Sequence, residues 1–236
     1  PTYIAAGGAH NCAVDETWAV YCWGRDNAYD QATFPEGLGH LVKLGLGSYH
    51  TCVLDDVGVV TCWGSDYEGR AVAPSGLGTV SDLSVGSNHN CAIKTSGEVV
   101  CWGANTYGQT TVPSGLGTVI ELSVGSSHSC ALRNDGTVVC WGDDAHGESA
   151  VPVGLGPVVQ ISAAYRTTCA LLASGSVKCW GQDIEKNHPP SGLTNVAQVV
   201  AGYGHTCALD HDGMVTCWGG NGYGQCDVPD GLGHIV

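Results

Sequence analysis

Short apolar–polar alternations recur along the whole chain, separated by glycine-rich turns; this is the mark of half-buried strands rather than helices. One stretch shows the pattern in full. Residues 118–124 alternate as a first strand and run into Gly125-Ser126-Ser127-His128. Residues 129–133 read as a second strand, Asn134-Asp135-Gly136 as a three-residue turn with glycine at its left-handed position, and 137–141 as a third strand. The loop 142–148 then leads to a short fourth strand ending at Pro152, where a missing N–H is tolerable at a sheet edge. The pattern predicts a four-stranded antiparallel meander. No 3.6-residue period is visible, which excludes a helical solenoid.

The unit repeats. Cysteines fall in pairs at 12/22, 52/62, 91/101, 130/140, 169/179 and 207/217, always ten apart, with pair-to-pair steps of 40, 39, 39, 39 and 38. Each second cysteine opens a Cys-Trp-Gly triplet, from Cys22-Trp23-Gly24 to Cys217-Trp218-Gly219. A fixed period of this size means a repeat architecture. Six four-stranded sheets about an axis make an all-β, six-bladed β-propeller, a single domain over 1–236 in which apolar faces stack blade on blade. Ile235-Val236 and Pro1-Thr2 both align with Leu41-Val42, so the two termini are expected to complete one sheet and close the ring.

The turn also sets the cysteine chemistry. If Arg133 and Thr137 close the hairpin as a hydrogen-bonded pair, Leu132 faces Val138, Ala131 faces Val139, and Cys130 faces Cys140 at a non-hydrogen-bonded site. Alpha carbons there lie about 4.5 Å apart, within disulfide reach. The shared register predicts six intra-blade disulfides: Cys12–Cys22, Cys52–Cys62, Cys91–Cys101, Cys130–Cys140, Cys169–Cys179 and Cys207–Cys217. A metal is the rival reading, but His128-x-Cys130 with Cys140 offers only three ligands, and Thr167 replaces the histidine in the fifth repeat. No metal and no cofactor are expected. Six disulfides imply an oxidising compartment, extracellular or periplasmic. The chain opens Pro-Thr-Tyr without a basic, apolar leader, so a signal peptide is expected to be absent from this mature form. Cys226 breaks the pairing; aligned with Thr110 and Ala71, it predicts a free thiol or a disulfide-linked dimer.

Charge narrows the partners. Eight Lys+Arg against 22 Asp+Glu leave −14, the wrong sign for displacing phosphate counterions, so nucleic acid is set aside. No apolar run approaches the ~18–20 residues of a membrane helix. Gly-x-Ser-x-Gly, His-Glu-x-x-His and phosphate-loop motifs are missing. The expectation is a binding protein, with a glycosidase-like carboxylate pair as the remaining catalytic alternative.

The string Val-x-x-Leu-Ser-Val-Gly-Ser-x-His-x-Cys-Ala-Leu, followed by Asp-Gly-Thr-Val-x-Cys-Trp-Gly, Gly-Gln and Val-Pro, resembles the regulator-of-chromosome-condensation repeat. Trp102 to Pro113 is similar to the repeats of the propeller-type β-lactamase inhibitory proteins, and the cysteine pairs resemble those of the crinkly receptor kinase ectodomains. The resemblance implies a propeller that binds partners rather than catalysing reactions. Those relatives usually carry seven blades against six here.

Chain parity places the loops. Connections after first and third strands leave a blade at one end, so the Gly-x-x-His turns and the loops after Cys-Trp-Gly share one face. Tyr49, Tyr165 and Tyr203 fall in the turns, and Tyr29, Tyr67, Tyr107 and Tyr223 in the loops; only Tyr3 and Tyr21 lie elsewhere. Arg166, Asp26, Asp66, Asp143 and Asn221 complete the candidate binding set, with Asn27, Asp30, Glu68, Asn105, Asp144, His146, Glu148, Asp183 and Glu185 in the same loops. Rigidly displayed tyrosine gives contact area with little entropy loss. Packing beside the following Gly-Gln is the competing account of Tyr107 and Tyr223. His10, His50, His89, His128 and His205 read as buried turn residues bonding neighbouring backbone, and the triplet tryptophans as core. Trp18, at the left-handed position of its hairpin, is expected to be exposed on the opposite face. The readings are a secreted module that docks a protein, a basic one by charge complementarity, or a lectin stacking tyrosine on sugars; a disulfide-hardened structural protein is a third.

Overall fold

The computed structural model describes residues 3–24, 29–182, 188–232 and 235. They form six three-stranded antiparallel sheets, each taken in chain order. Their strands are Tyr3–Ala6, His10–Val14 and Val20–Gly24; Leu41–Leu46, His50–Asp55 and Val60–Gly64; Val80–Val85, His89–Lys94 and Val99–Gly103; Val119–Val124, His128–Arg133 and Val138–Gly142; Val158–Ala164, Thr167–Leu172 and Val177–Gly181; Val196–Ala201, His205–Asp210 and Val215–Gly219. The chain divides into two compact units, Pro1–Ser114 with the first three sheets and Gly115–Val236 with the last three.

The hairpin register is the one read from the turn. Arg133 N donates to Thr137 O at 2.9 Å, Gly136 sits at φ +79°, and Cys130 pairs with Cys140. All six expected disulfides are present, with Cα–Cα separations of 4.0–4.1 Å. Each staples two neighbouring strands of one sheet, constraining the unfolded chain. Non-reducing intact mass with thiol labelling is expected to count six bridges and one thiol at Cys226; several labelled pairs would contradict the pairing.

The expected fourth strand is not among the described strands. After the third strands of the third and fourth sheets the backbone turns on itself instead: Thr111 N bonds Gly108 O at 3.0 Å, Ala150 N bonds Gly147 O at 3.2 Å, and Val151 N bonds Ser149 O at 3.0 Å. These N–H groups are spent locally, and Pro113 and Pro152 have none to give, so no ladder forms.

The core lies between successive sheets of a unit. Cys52 and Leu54 of the second sheet pack with Leu83, Ala92 and Trp102 of the third, and Cys169 and Leu171 of the fifth with Val199, Ala208 and Trp218 of the sixth. Of the triplet tryptophans, Trp102, Trp141 and Trp218 are buried as expected and Trp63 and Trp180 are half-buried, whereas Trp23 is 50% exposed. Trp18 takes the left-handed conformation (φ 67°), but it stacks on His40 at 4.9 Å and packs with Val14, Leu41 and Val53 rather than standing exposed.

His10, His50 and His128 tie sheets together through side chains, not through neighbouring backbone. His10 Nε2 lies 2.7 Å from Thr51 Oγ1, which donates to the Gln31 carbonyl at 2.8 Å; the same carbonyl accepts Trp63 Nε1 at 3.0 Å. His128, Thr168, Glu148 O and Trp180 repeat the arrangement at 2.8, 3.0 and 3.1 Å. The threonine proton is already committed, so its oxygen can only accept, and each imidazole carries its proton on Nε2. His50 Nε2 likewise meets Asn90 Oδ1 at 2.8 Å, and Asn90 Nδ2 donates to Arg70 O at 2.8 Å. The Nδ1 atoms of His10, His50 and His128 are buried without a hydrogen-bond partner among the described residues. Burial lowers the pKa of His10, and lowers those of His50 and His128 to about 4.

These rings lie against the glycine three residues earlier. A Cβ on Gly47 would sit 2.1 Å from His50 Cε1, and one on Gly125 2.3 Å from His128 Cε1. In the fifth sheet threonine replaces the histidine, and at that place alone the glycine becomes Ala164.

Candidate functional site

Five of the seven turn and loop tyrosines gather in two places, one in each unit. In the first unit, Tyr29 meets Tyr49 edge-on with ring centroids 5.8 Å apart. The Arg70 guanidinium lies 5.9 Å from the Tyr49 centroid and 5.8 Å from that of Tyr67, within cation–π range. Arg70 is only 5% exposed: its Nε and Nη2 donate to Ser65 O at 3.0 Å and Ser65 Oγ at 2.7 Å, and its Nη1 donates to Asn88 Oδ1. A buried, tethered cation thus braces rings that themselves stay exposed, Tyr29 at 53%, Tyr49 at 46% and Tyr67 at 68%.

In the second unit, Tyr165 and Tyr203 lie with ring centroids 4.1 Å apart. Arg166 is placed 5.2 Å from the Tyr165 centroid, and its Nη1 donates to His146 Nε2 at 2.8 Å. Hydrogen bonding to Tyr165, and that ring's charge when ionised, push the Tyr203 phenol pKa up.

Tyr107 and Tyr223 occupy one position of the repeat, shared with Tyr29 and His146. The side chain two residues on accepts the backbone N–H of each: Gln31, Gln109, Glu148 and Gln225 do so at 3.2, 2.8, 2.8 and 2.9 Å. The Gly-Gln contact therefore holds their backbone, not their rings. Tyr107 is 56% exposed and Tyr223 99%. Glu148, expected among the loop acids, is buried in this structural role.

The polar candidates divide differently. Asp66 Oδ1 accepts Ala71 N at 3.2 Å, Asp143 Oδ1 accepts Ala145 N at 3.1 Å, and Asn221 Oδ1 accepts Cys226 N at 2.9 Å. These side chains pin their own loops. Asp26, Asn27, Asp183 and Glu185, with the expected pairing of Pro1-Thr2 and Val236, lie outside the described residues. Arg70 was not foreseen; its signal in the sequence is an arginine where other repeats carry Gln31, Gln109 and Gln225. Cys226 is half-buried, with Sγ 3.4 Å from Gly220 O, and burial raises its thiol pKa, which lowers its reactivity. Among the described residues no three His, Cys, Asp or Glu side chains converge as a metal-ligand set, and no helix is long and apolar enough to cross a membrane.

Similarity to known proteins follows the repeat. The model of the regulator of chromosome condensation (RCC1) repeat matches residues 41–70, 80–109, 119–148, 158–184 and 196–225, more than half the chain. No curated protein matches the chain. Among solved structures, the entire ectodomain of the Physcomitrella patens receptor kinase CR4 superposes with a TM-score of 0.77 at 26% identity, over 92% of this chain; the chain spans 62% of that ectodomain. The CRINKLY WD40 ectodomain of the Arabidopsis thaliana receptor kinase ACR4 gives 0.74 at 22% identity, over 92% of this chain and 78% of its own. Saccharomyces cerevisiae Prp20p, described with its binding to Gsp1p and histones, gives 0.77 at 18% identity, over 92% and 71%.

Proposed function

This chain belongs to the regulator of chromosome condensation (RCC1) repeat family, and from that premise we propose that it is an extracellular, non-enzymatic module that docks a protein partner on its tyrosine-bearing turns. The observation that carries the reading is the exposure of Tyr49, Tyr67 and Tyr203, with the half-buried Tyr165 packed on Tyr203, at positions where the other repeats place different residues, in two clusters braced by Arg70 and Arg166. A frame that repeats its core and varies its turns is built to present a surface. The six disulfides suit an oxidising, extracellular setting, and the receptor ectodomains that share the fold are consistent with it.

In this reading the six sheets are the blades of one propeller domain, residues 1–236. Ile235 supports its closure: its N–H bonds Gly213 O at 3.0 Å, as Val158 bonds Gly136 and Val196 bonds Gly175 where a first strand begins. A charge of −14 steers a partner with basic segments.

The test compares the protein with a Tyr49→Ala/Tyr67→Ala/Tyr165→Ala/Tyr203→Ala variant, as baits for extracellular proteins and on a glycan array. Tyrosine anchors each contribute about 1–2 kcal/mol, so the variant is expected to bind its partner at least a hundredfold more weakly while keeping its Tm within a few degrees. Specific glycan spots lost in the variant would replace the protein partner with a sugar. Unchanged partner binding would move the site off these residues.

A further inference from the structure

The fifth sheet gives up a structural device that the other sheets keep. Where they place a glycine and a histidine ring packed on it, the turn 164–167 reads Ala-Tyr-Arg-Thr. Tyr165 there takes φ 34°, a conformation that bulky side chains rarely adopt, whereas the corresponding Ser48, Ser87, Ser126 and Tyr203 are not left-handed. Departures of this kind from a consistent frame collect at functional sites. What the turn gains is Arg166 beside two tyrosine rings in tilted contact.

Like Arg133 and Lys178, Arg166 forms no ion pair among the described residues, but of these three it alone lies within cation–π range of a described ring. Lys43 and Lys94 form ion pairs with Asp82 and Glu98, and Arg70 is buried against Ser65 and Asn88. Arg166 is half-buried, donates through Nη1 to His146, and has no carboxylate partner among the described residues of a chain that carries 22 acids. A guanidinium presents five N–H groups in a planar fork that matches a carboxylate. Its remaining donors stand next to the Tyr165–Tyr203 pair.

We propose that Arg166 and the Tyr165–Tyr203 pair form a subsite that takes one carboxylate of the partner polypeptide, an Asp or Glu side chain or the chain's C-terminal carboxylate. The inference rests on reading the molecule as a protein-binding module. It adds a registration device: in a chain of net charge −14 a carboxylate is disfavoured over much of the surface and favoured at this fork, so the partner's charge helps to fix where it docks. Rings packed on one another at 4.1 Å leave less open face for sugar stacking than separate rings would, which favours a polypeptide carboxylate over a uronic acid.

The test is an amide-resolved NMR titration of the folded, oxidised protein with five probes. N-acetyltyrosine carries a terminal carboxylate and N-acetylglutamate α-amide a side-chain carboxylate. N-acetyltyrosinamide and N-acetylglutamine amide are their neutral counterparts, and glucuronate is the sugar acid. Saturable shifts at residues 165, 166 and 203 are expected with one or both peptidic carboxylates and not with the amides. Arg166→Gln is expected to weaken them at least tenfold and Arg166→Lys by less. Tyr203→Ala gives a second reading if the spectrum of Arg166→Gln shows a disturbed fold. Shifts that survive Arg166→Gln, appear only elsewhere, or favour glucuronate would overturn the subsite. A partner held equally by wild type and Arg166→Gln but lost from the tyrosine variant overturns the carboxylate inference and leaves protein binding standing. Carboxylate binding at these residues with no protein partner does the reverse.

Discussion

Stability is expected to fall steeply as the pH drops from 6.5 to 4. Burial holds His50 and His128 at a pKa of about 4 against an ordinary 6.5. Between those values the unfolded chain binds protons that the folded chain does not, so protonation favours unfolding. The stabilisation is complete above pH 6.5 and is lost as the pH falls towards 4. Each ring contributes about 3 kcal/mol to this difference, a large share of the roughly 5–15 kcal/mol that holds a domain together. The reason is geometric: Nε2–H is committed to Thr168 or Asn90, and a proton arriving at Nδ1 would meet no acceptor. Urea midpoints measured under non-reducing conditions at pH 7.5, 5.5 and 4.2 check this. His128→Gln, whose amide can still donate to Thr168, is expected to flatten the profile. A wild-type midpoint unchanged across the window would show that these rings are not buried neutral.

Gly125→Ala is expected to destabilise the protein by about 2–4 kcal/mol, the combined cost of overpacking and of a strained buried hydrogen bond. The added methyl would lie 2.3 and 2.6 Å from His128 Cε1 and Nδ1, and the ring cannot withdraw without leaving Thr168. The fifth sheet names the compensating change, since Ala164 and Thr167 stand where the fourth has Gly125 and His128. His128→Thr alone loses a bond, but Gly125→Ala/His128→Thr is expected to be less destabilised than the sum of its parts by about 1–2 kcal/mol. Thermal unfolding of the four proteins of the cycle measures this coupling. Strict additivity would mean that the glycine is there for some reason other than the ring.

How much of this was legible depends on the range of the interaction concerned. Cys130–Cys140 and its five counterparts were readable because a hairpin's register is decided by its turn, within a few residues of the pair. Chain parity grouped the turn and loop tyrosines without saying which rings would meet, because the Tyr165–Tyr203 and Tyr29–Tyr49 contacts depend on side-chain directions across neighbouring turns. Partners of the histidines were not readable, because Thr51 and Asn90 lie about forty residues away across a packed interface. Arg70 was missed for a related reason: at a loop position that elsewhere holds glutamine, arginine looks solvated until the rings of Tyr49 and Tyr67 close over it. The fourth strand failed because a short apolar run before proline fits an edge strand and a chain of tight turns equally well. Trp18 was legible in its backbone, which the hairpin dictates, but not in its exposure, which His40 decides.

The first strand of a sheet would ordinarily leave a row of outward N–H groups open to an incoming strand. Here side chains of the preceding sheet occupy them. Ser123 Oγ accepts Ala163 N at 2.7 Å, Ser162 Oγ accepts Ala201 N at 2.9 Å, Gln160 Oε1 accepts Val199 N at 2.8 Å, and Glu121 reaches Ile161 N at 3.3 Å. An extended peptide arriving at the fifth or sixth sheet finds these donors already taken, so neither strand addition by a ligand nor edge-to-edge aggregation has a template there. The molecule can be crowded with β-structure and still stay inert along the first-strand edges of these two sheets.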